Sequence, residues 1–335
     1  MSKLRKWLLA TLGILAVTAA QADPDRWIRE GWKDTDFDKT SIEWSEIRSG
    51  GPPKDGIPSI DDPKFIGLAE ADDLAAVEPV ISLAIDGDAR AYPLGILIWH
   101  EIVNDVVGGV PVAVTYCPLC NSSVVFDRRH ERGVLEFGTT GKLRNSDLVM
   151  YDRQTESWWQ QFTGEAIVGA MLGEKLKRKP AALMSFQMFA ERYPDGRVLV
   201  PNNPTMRRYG QNPYVGYDRS ARPFLYRGDM PDGIEPMARV VVVTREGAEP
   251  LIVSMDAIRA ATADSSSTPY EAENTRLTWQ AGQASALDMP NIAEGRDVGT
   301  VKAYDVSSGD PVPLPYDVTF AFVAHAFHPE IKIRQ

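Results

Sequence analysis

Between Glu78 and Leu94 the chain reads EPVISLAIDGDARAYPL. An apolar, β-branched run meets an Asp-Gly pair and then a second such run, which spells strand, tight turn, strand. The pattern recurs. EIVNDVVGGVPVAVTY holds two more runs around Gly108-Gly109, and SSVVFDRR holds another. VLEFGTTGKLRNSDLVMYDRQTESWWQQFTGEAIVG continues it, with turns at Gly138 to Gly141 and at Gly164. Helical signals are few. LGILIW reads as a short buried helix or turn, and LMSFQMFAERYP, Leu183 to Pro194, is the clearest helix, closed by Tyr193-Pro194. Many short strands and few helices predict a β-rich α+β fold.

Five segments follow from where the pattern starts and stops. Residues 1–22 read as a signal peptide: Lys3, Arg5 and Lys6, an apolar run from Trp7 to Ala20, and a small-x-small site at Ala20-Gln21-Ala22. Residues 23–76 are an irregular arm rich in Gly, Pro and Asp, with Trp27, Trp32 and Trp44 to pin it to the body. Residues 77–180 form a first β-rich lobe, 181–236 a helix and a Pro/Gly-rich connector, and 237–335 a second β-rich lobe. The leader predicts a periplasmic or secreted protein in an oxidising compartment. No later apolar run is long enough to span a bilayer. Of 36 basic residues, the leader takes three, leaving 33 against 46 acidic, a net charge of −13. That balance argues against a nucleic-acid partner, because phosphate binding needs a basic face.

The two lobes resemble each other. VISLAIDGDARAYPLGIL from Val80 and VVVVTREGAEPLIVSMDAI from Val240 each give a strand, a turn at Gly87 or Gly247, a second strand and an apolar helical start. TYCPLCNSS from Thr115 aligns with TWQAGQASA from Thr278, so that Cys117 falls on Gln280 and Cys120 on Gln283. MYDRQT around Tyr151 echoes AYDVSS around Tyr304. These matches suggest a decayed internal duplication, against chance likeness between hairpin-rich regions.

Cys117 and Cys120 are the only cysteines in the chain, and they lie between two strand-like runs. Pro118 favours a turn start and Asn121 tolerates turn conformations, so CPLC sits at a hairpin tip. The helix that follows C-x-x-C in thioredoxin-like proteins has no counterpart here. Three chemistries fit such a pair. A turn brings residues i and i+3 within about 7 Å, inside disulfide range. A structural bridge there closes so small a ring that loop entropy yields only about 2 kcal/mol. A redox dithiol, with Cys117 the provisional attacking thiol, needs no cofactor but requires a redox partner or small molecule; a cation at His100, Arg128, Arg129 or Arg144 would favour its thiolate. A metal site, copper or zinc, would take both thiolates and further ligands from His100, His325, His328 or Met150. A third class of function is a non-catalytic binding module with a structural disulfide. For a cleft, the candidates are Tyr116, Arg144, Asp152 and the pair Trp158-Trp159, of which one alternates into the core. GTTGK at Gly138 lacks the full phosphate-loop spacing, and neither G-x-G-x-x-G nor G-x-S-x-G occurs.

Together ARAYPL, HEIVND, VTYCPLCNSSVVFDR, GKLRNSDLVMYDRQTESWWQQFTGEAIVG and the terminal AFHP resemble the DUF3179 family, from about Val80 to Pro329. The resemblance implies a family without an assigned activity, some of whose members carry selenocysteine in the cysteine motif. It therefore favours redox chemistry at Cys117 and Cys120. It also implies that His328 is a safer ligand than His325, where the family often has Trp.

Overall fold

The computed structural model describes residues 24–245, 247–262 and 269–335. The leader expected at residues 1–22 lies outside the described residues. With 37% strand and 14% helix, the chain is a β-rich α+β protein. The arm contributes helix α1 (Pro24–Arg29) and strands β1 (Ile47–Ser49) and β2 (Lys64–Gly67). The first hairpin pairs β3 (Pro79–Ile85) with β4 (Asp88–Pro93), and β4 runs straight into α2 (Leu94–Leu97). Its Asp86-Gly87 turn has φ of 47° and 83°, the left-handed pair that matches strand twist.

A meander follows: β5 (Ile102–Val107), β6 (Val110–Cys117) and β7 (Ser122–Asp127). Gly108 opens its first turn at φ 52°, and an added Cβ would lie 2.3 Å from the Ile85 carbonyl oxygen, so no larger residue fits. After a short ribbon, β8 (Arg129–His130) with β9 (Gly133–Val134), come β10 (Phe137–Arg144), β11 (Asp147–Asp152), β12 (Trp158–Gln160) and β13 (Ala166–Val168). β14 (Arg178–Lys179) returns to the edge of β7, and β15 (Ala182–Ser185) to the edge of β3. Then come α3 (Phe186–Arg192) and β16 (Arg197–Val200). The helix expected from Leu183 begins only at Phe186. Leu183 and Met184 instead pair with Ile81 and Val80, and Ser185 caps the helix by accepting from Met188 N.

The second half holds β17 (Arg239–Val243), β18 (Leu251–Ser254), α4 (Met255–Thr262), β19 (Tyr270–Ala272), β20 (Thr275–Gln280), β21 (Thr300–Asp305), β22 (Val312–Pro313), β23 (Tyr316–Phe320) and α5 (Ala321–Phe327). The sheets are β1-β10-β11-β12-β13, β14-β7-β6-β5, β15-β3-β4-β16-β2, β18-β17-β23 and β19-β20-β21-β22.

The halves share strand order and register. Val80 pairs with Pro93 on one side and Met184 on the other; Val240 pairs with Ser254 and Thr319. A helix starts one residue after Pro93 and after Ser254, and two residues after Met184 and after Thr319. Between these strands each half inserts a four-stranded sheet, β5-β6-β7 joined by the later β14 in the first and β19 to β22 in the second, and Cys117 and Gln280 end β6 and β20. The Tyr151–Tyr304 echo does not extend this: Tyr304 lies in the second meander, whereas Tyr151 lies in the β10–β13 sheet.

The halves interlock. β23 packs on β7, and β15 packs on β21. One continuous core runs from Val112 to Phe126 in the first meander and on through Val240 to Ala324. The arm has its own smaller core. Trp27, Trp32 and Phe37 surround Trp158 at ring separations of 4.9, 5.2 and 5.4 Å, with Trp44 against Trp27.

Candidate metal centre

The cysteine turn is a hairpin tip, as its flanks require, but it is not an exposed one. Cys120 N donates to Cys117 O and Asn121 N to Pro118 O, and Asn121 takes φ 52° to re-enter β7. β23 of the other half then fastens the turn. Asn121 Nδ2 donates to Val318 O at 3.0 Å, Ser122 Oγ to Asp317 Oδ2 at 2.5 Å, and Thr319 Oγ1 to Cys120 O at 2.8 Å. The thiols are 2% and 0% exposed.

A second hairpin tip meets the first. The β10–β11 turn places Asn145 and Ser146 at φ 53° and 65°, the primed-turn geometry. Its Ser146 carbonyl accepts from Cys120 Sγ at 3.4 Å and Cys117 Sγ at 3.8 Å. The next residue, Asp147, is fully buried. Its Oδ2 accepts from Gln160 Nε2 at 2.6 Å and Phe162 N at 2.8 Å; among the described residues Oδ1 meets no donor in hydrogen-bond geometry, although the Cys120 thiol interacts with this carboxyl. The two sulfurs lie 3.6 Å apart, and Cys117, Cys120 and Asp147 bring one donor atom each within 4.8 Å of one another.

A third segment covers the pair. Tyr217 Oη donates to Leu119 O at 3.0 Å and accepts from Phe224 N at 3.2 Å, and Ser146 Oγ donates to Phe224 O at 2.5 Å. This strap belongs to the Pro/Gly-rich connector.

Burial dominates the electrostatics. It pushes both thiols up, Cys120 well above the ordinary range, and raises Asp147 to about 6. Buried Glu101, held at φ 59°, rises to about 8 through burial and the Asp147 charge. Such a site resists ionisation unless a cation enters it.

The cations and ligands expected from sequence lie elsewhere. His100 is fixed between Pro58 O at 2.7 Å and Tyr209 Oη at 2.8 Å. Arg128 donates to three backbone carbonyls, and Arg129 pairs with Asp127. Arg144 pairs with Glu46 and reaches Gln160 Oε1 at 3.4 Å, one side chain removed from Asp147. His328 sits against the Phe162 ring and His325 is half-buried; neither joins the three clustered donors. Met150 is buried between Thr139 and Trp159 in the sheet.

Of the residues offered for a cleft, Trp158 and Trp159 are both completely buried, where alternation had sent one outward. Trp158 packs into the arm core, and Trp159 into the main core against Phe137 at 5.8 Å. Asp152 accepts from Thr155 and from Trp159 Nε1, a turn-stabilising role. Tyr116 is buried, and among the described residues its hydroxyl has no hydrogen-bond partner. Asp147, Ser146 and Tyr217 were missed; the only sequence signal for the first two is the Asn-Ser-Asp turn before DLVMYD.

A family model described as a protein of unknown function, DUF3179, matches residues 54–331, a span that includes both hairpin tips and the strap. No curated protein and no solved structure matches the chain. The match covers most of its length, and the chain belongs to the DUF3179 family.

Proposed function

We propose that this protein binds a transition-metal ion through Cys117, Cys120 and Asp147. The observation that carries the reading is the dry cluster itself: the buried Asp147 carboxyl, whose Oδ1 meets no donor in hydrogen-bond geometry among the described residues, beside two buried thiols. Two sulfurs 3.6 Å apart, each about 2.3 Å from one ion, would subtend about 100° at it, near the tetrahedral angle. Two thiolates and a carboxylate supply a charge of −3, which a divalent ion reduces to −1 in a dry site. Soft sulfur with a hard carboxylate favours zinc over cuprous copper. The Ser146 carbonyl, already facing both sulfurs, is a further donor at hand. A closed site of this kind suits a structural ion more than an open catalytic one.

Elemental analysis of protein purified without chelator, and cobalt titration followed by its thiolate charge-transfer absorption, test the reading. One equivalent per chain, lost in Cys117→Ser and Cys120→Ser, is expected. Two freely titrating thiols with no cobalt absorption would sink it.

A second reading rests on the same sulfur separation. A change of side-chain torsion could close the dithiol to a disulfide, passing two electrons and two protons to a partner disulfide, which leaves as two thiols. Thiol counts that fall from two to zero on exposure to oxidised glutathione, with no metal bound, would favour it. We further infer that the protein is exported, which an exported chain beginning at Asp23 in mass spectra would support and an uncleaved chain would oppose. We also infer that its halves descend from one duplicated unit, on the strength of their shared register. The two three-stranded units and the helices that follow them should superpose backbone on backbone; strands or helices that diverge on superposition would end that idea.

A further inference from the structure

We propose that the crevice at the C-terminal ends of β4 and β16 binds a zwitterionic molecule of about dipeptide size with an apolar body. Among the described residues β4 and β16 form the single parallel pairing between strands, with Arg197 opposite Arg90 and Val198 opposite Ala91. Beyond it the chains part: β4 turns into α2 at Leu94, and β16 leads into the connector at Pro201. Parting strands of this kind leave a crevice at their carboxyl ends, the place where open sheets with parallel strands hold ligands. The cavity measures about 670 Å³, within the range of small-molecule sites.

Ile66, Leu74, Ile96 and Leu199 furnish an apolar wall. Two kinds of charge flank it. Glu78, 7% exposed, lines the cavity. Its Oε1 accepts from Ala75 N at 3.0 Å, and its Oε2 accepts no hydrogen bond among the described residues. Burial raises its pKa, as expected of a carboxylate waiting for a donor. Arg207 and Arg208, from the connector, also line it, and among the described residues neither guanidinium has a carboxylate partner. Glu70 and Asp73 share the rim without pairing to them. An ammonium group suits Glu78, a carboxylate suits the forked donors of the arginines, and an apolar body suits the wall. A molecule with one charge would leave one of these groups unmatched.

Calorimetry on the full chain, in chelator so that metal binding does not intrude, tests this with the dipeptide Leu-Phe, its N-acetyl form and its C-terminal amide. Leu-Phe should bind, and each blocked form should bind at least tenfold more weakly. Glu78→Gln should lose the preference against the acetylated form, and Arg207→Ala the preference against the amide. No binding of Leu-Phe at millimolar concentration overturns the proposal. So does equal binding of all three peptides to the wild-type chain, a result that does not depend on any variant folding.

Discussion

Replacing Asp147 by Asn should make the metal-free protein more stable and the metal-loaded protein less so. In an unfolded chain this carboxyl titrates near 3.8; in the fold, burial lifts it to about 6. Between those values the folded chain holds the proton more tightly, so stability falls as pH rises through that window and levels off above it. At about 1.4 kcal/mol for each pH unit of the window, the ionised group costs the fold about 3 kcal/mol at pH 7.5. Asn fills the same volume, keeps an acceptor for Gln160 and Phe162 N, and carries no charge. Urea denaturation in chelator should therefore show Asp147→Asn up to about 3 kcal/mol more stable at pH 7.5, narrowing to about 1 kcal/mol at pH 4.5. Adding zinc at a hundredfold excess over its dissociation constant should then stabilise the wild type by about 2.7 kcal/mol. The variant should respond far less. A variant that is no more stable in chelator, yet gains as much from zinc as the wild type, would refute both the charge argument and the ligand assignment.

Three further outcomes follow from the geometry. Trp158→Ala should cost about 3–5 kcal/mol by emptying the arm core, and trypsin should then cut after Lys33 and Lys39 much faster; unchanged cleavage would show that the arm is held elsewhere. Tyr217→Phe removes the hydroxyl that joins Leu119 O to Phe224 N. At about 1 kcal/mol per bond, Cys117 should react with a disulfide reagent roughly tenfold faster with little change in global stability, and an unchanged rate would remove the strap from the account. Asp88 is held down at about 2, burial opposing and the bonds from Arg90, Gly108 N and Arg197 prevailing. The stability it adds is complete above 3.8 and fades as pH falls toward 2, so Asp88→Asn should cost about 1 kcal/mol above pH 5, after allowance for its partial exposure. The acid limb of the stability curve should flatten accordingly; an unaltered limb would argue against the pairing.

Local features were legible in the residues. Asp86-Gly87 and Gly108-Gly109 announced their hairpins because positive φ leaves few alternatives. The aligned residues Val80 and Val240 both fall on the middle strand of three, in β3 and β17, and Cys117 and Gln280 both end a strand, β6 and β20. The hairpin tip at CPLC was readable for the same reason: β-branched runs flank it on both sides. What surrounds the tip was not. Asp147 and Ser146 arrive on another hairpin, and Asp317 to Phe320 arrive from the far half. His100 looked available because it is near the cysteines in sequence, but it faces Pro58 and Tyr209. Leu183 to Ser185 carry a helical pattern that pairing with β3 overrides.

The crossed packing of β23 on β7 and β15 on β21 has a consequence for how the chain folds and breaks. Each half completes its partner's meander, so a fragment ending near residue 236 would lose the cover over its cysteine turn and expose a sheet face. Contacts this distant in sequence form late and slowly. The molecule should accordingly melt in one transition, and a newly made chain should guard its thiols only after the last hundred or so residues have closed over them.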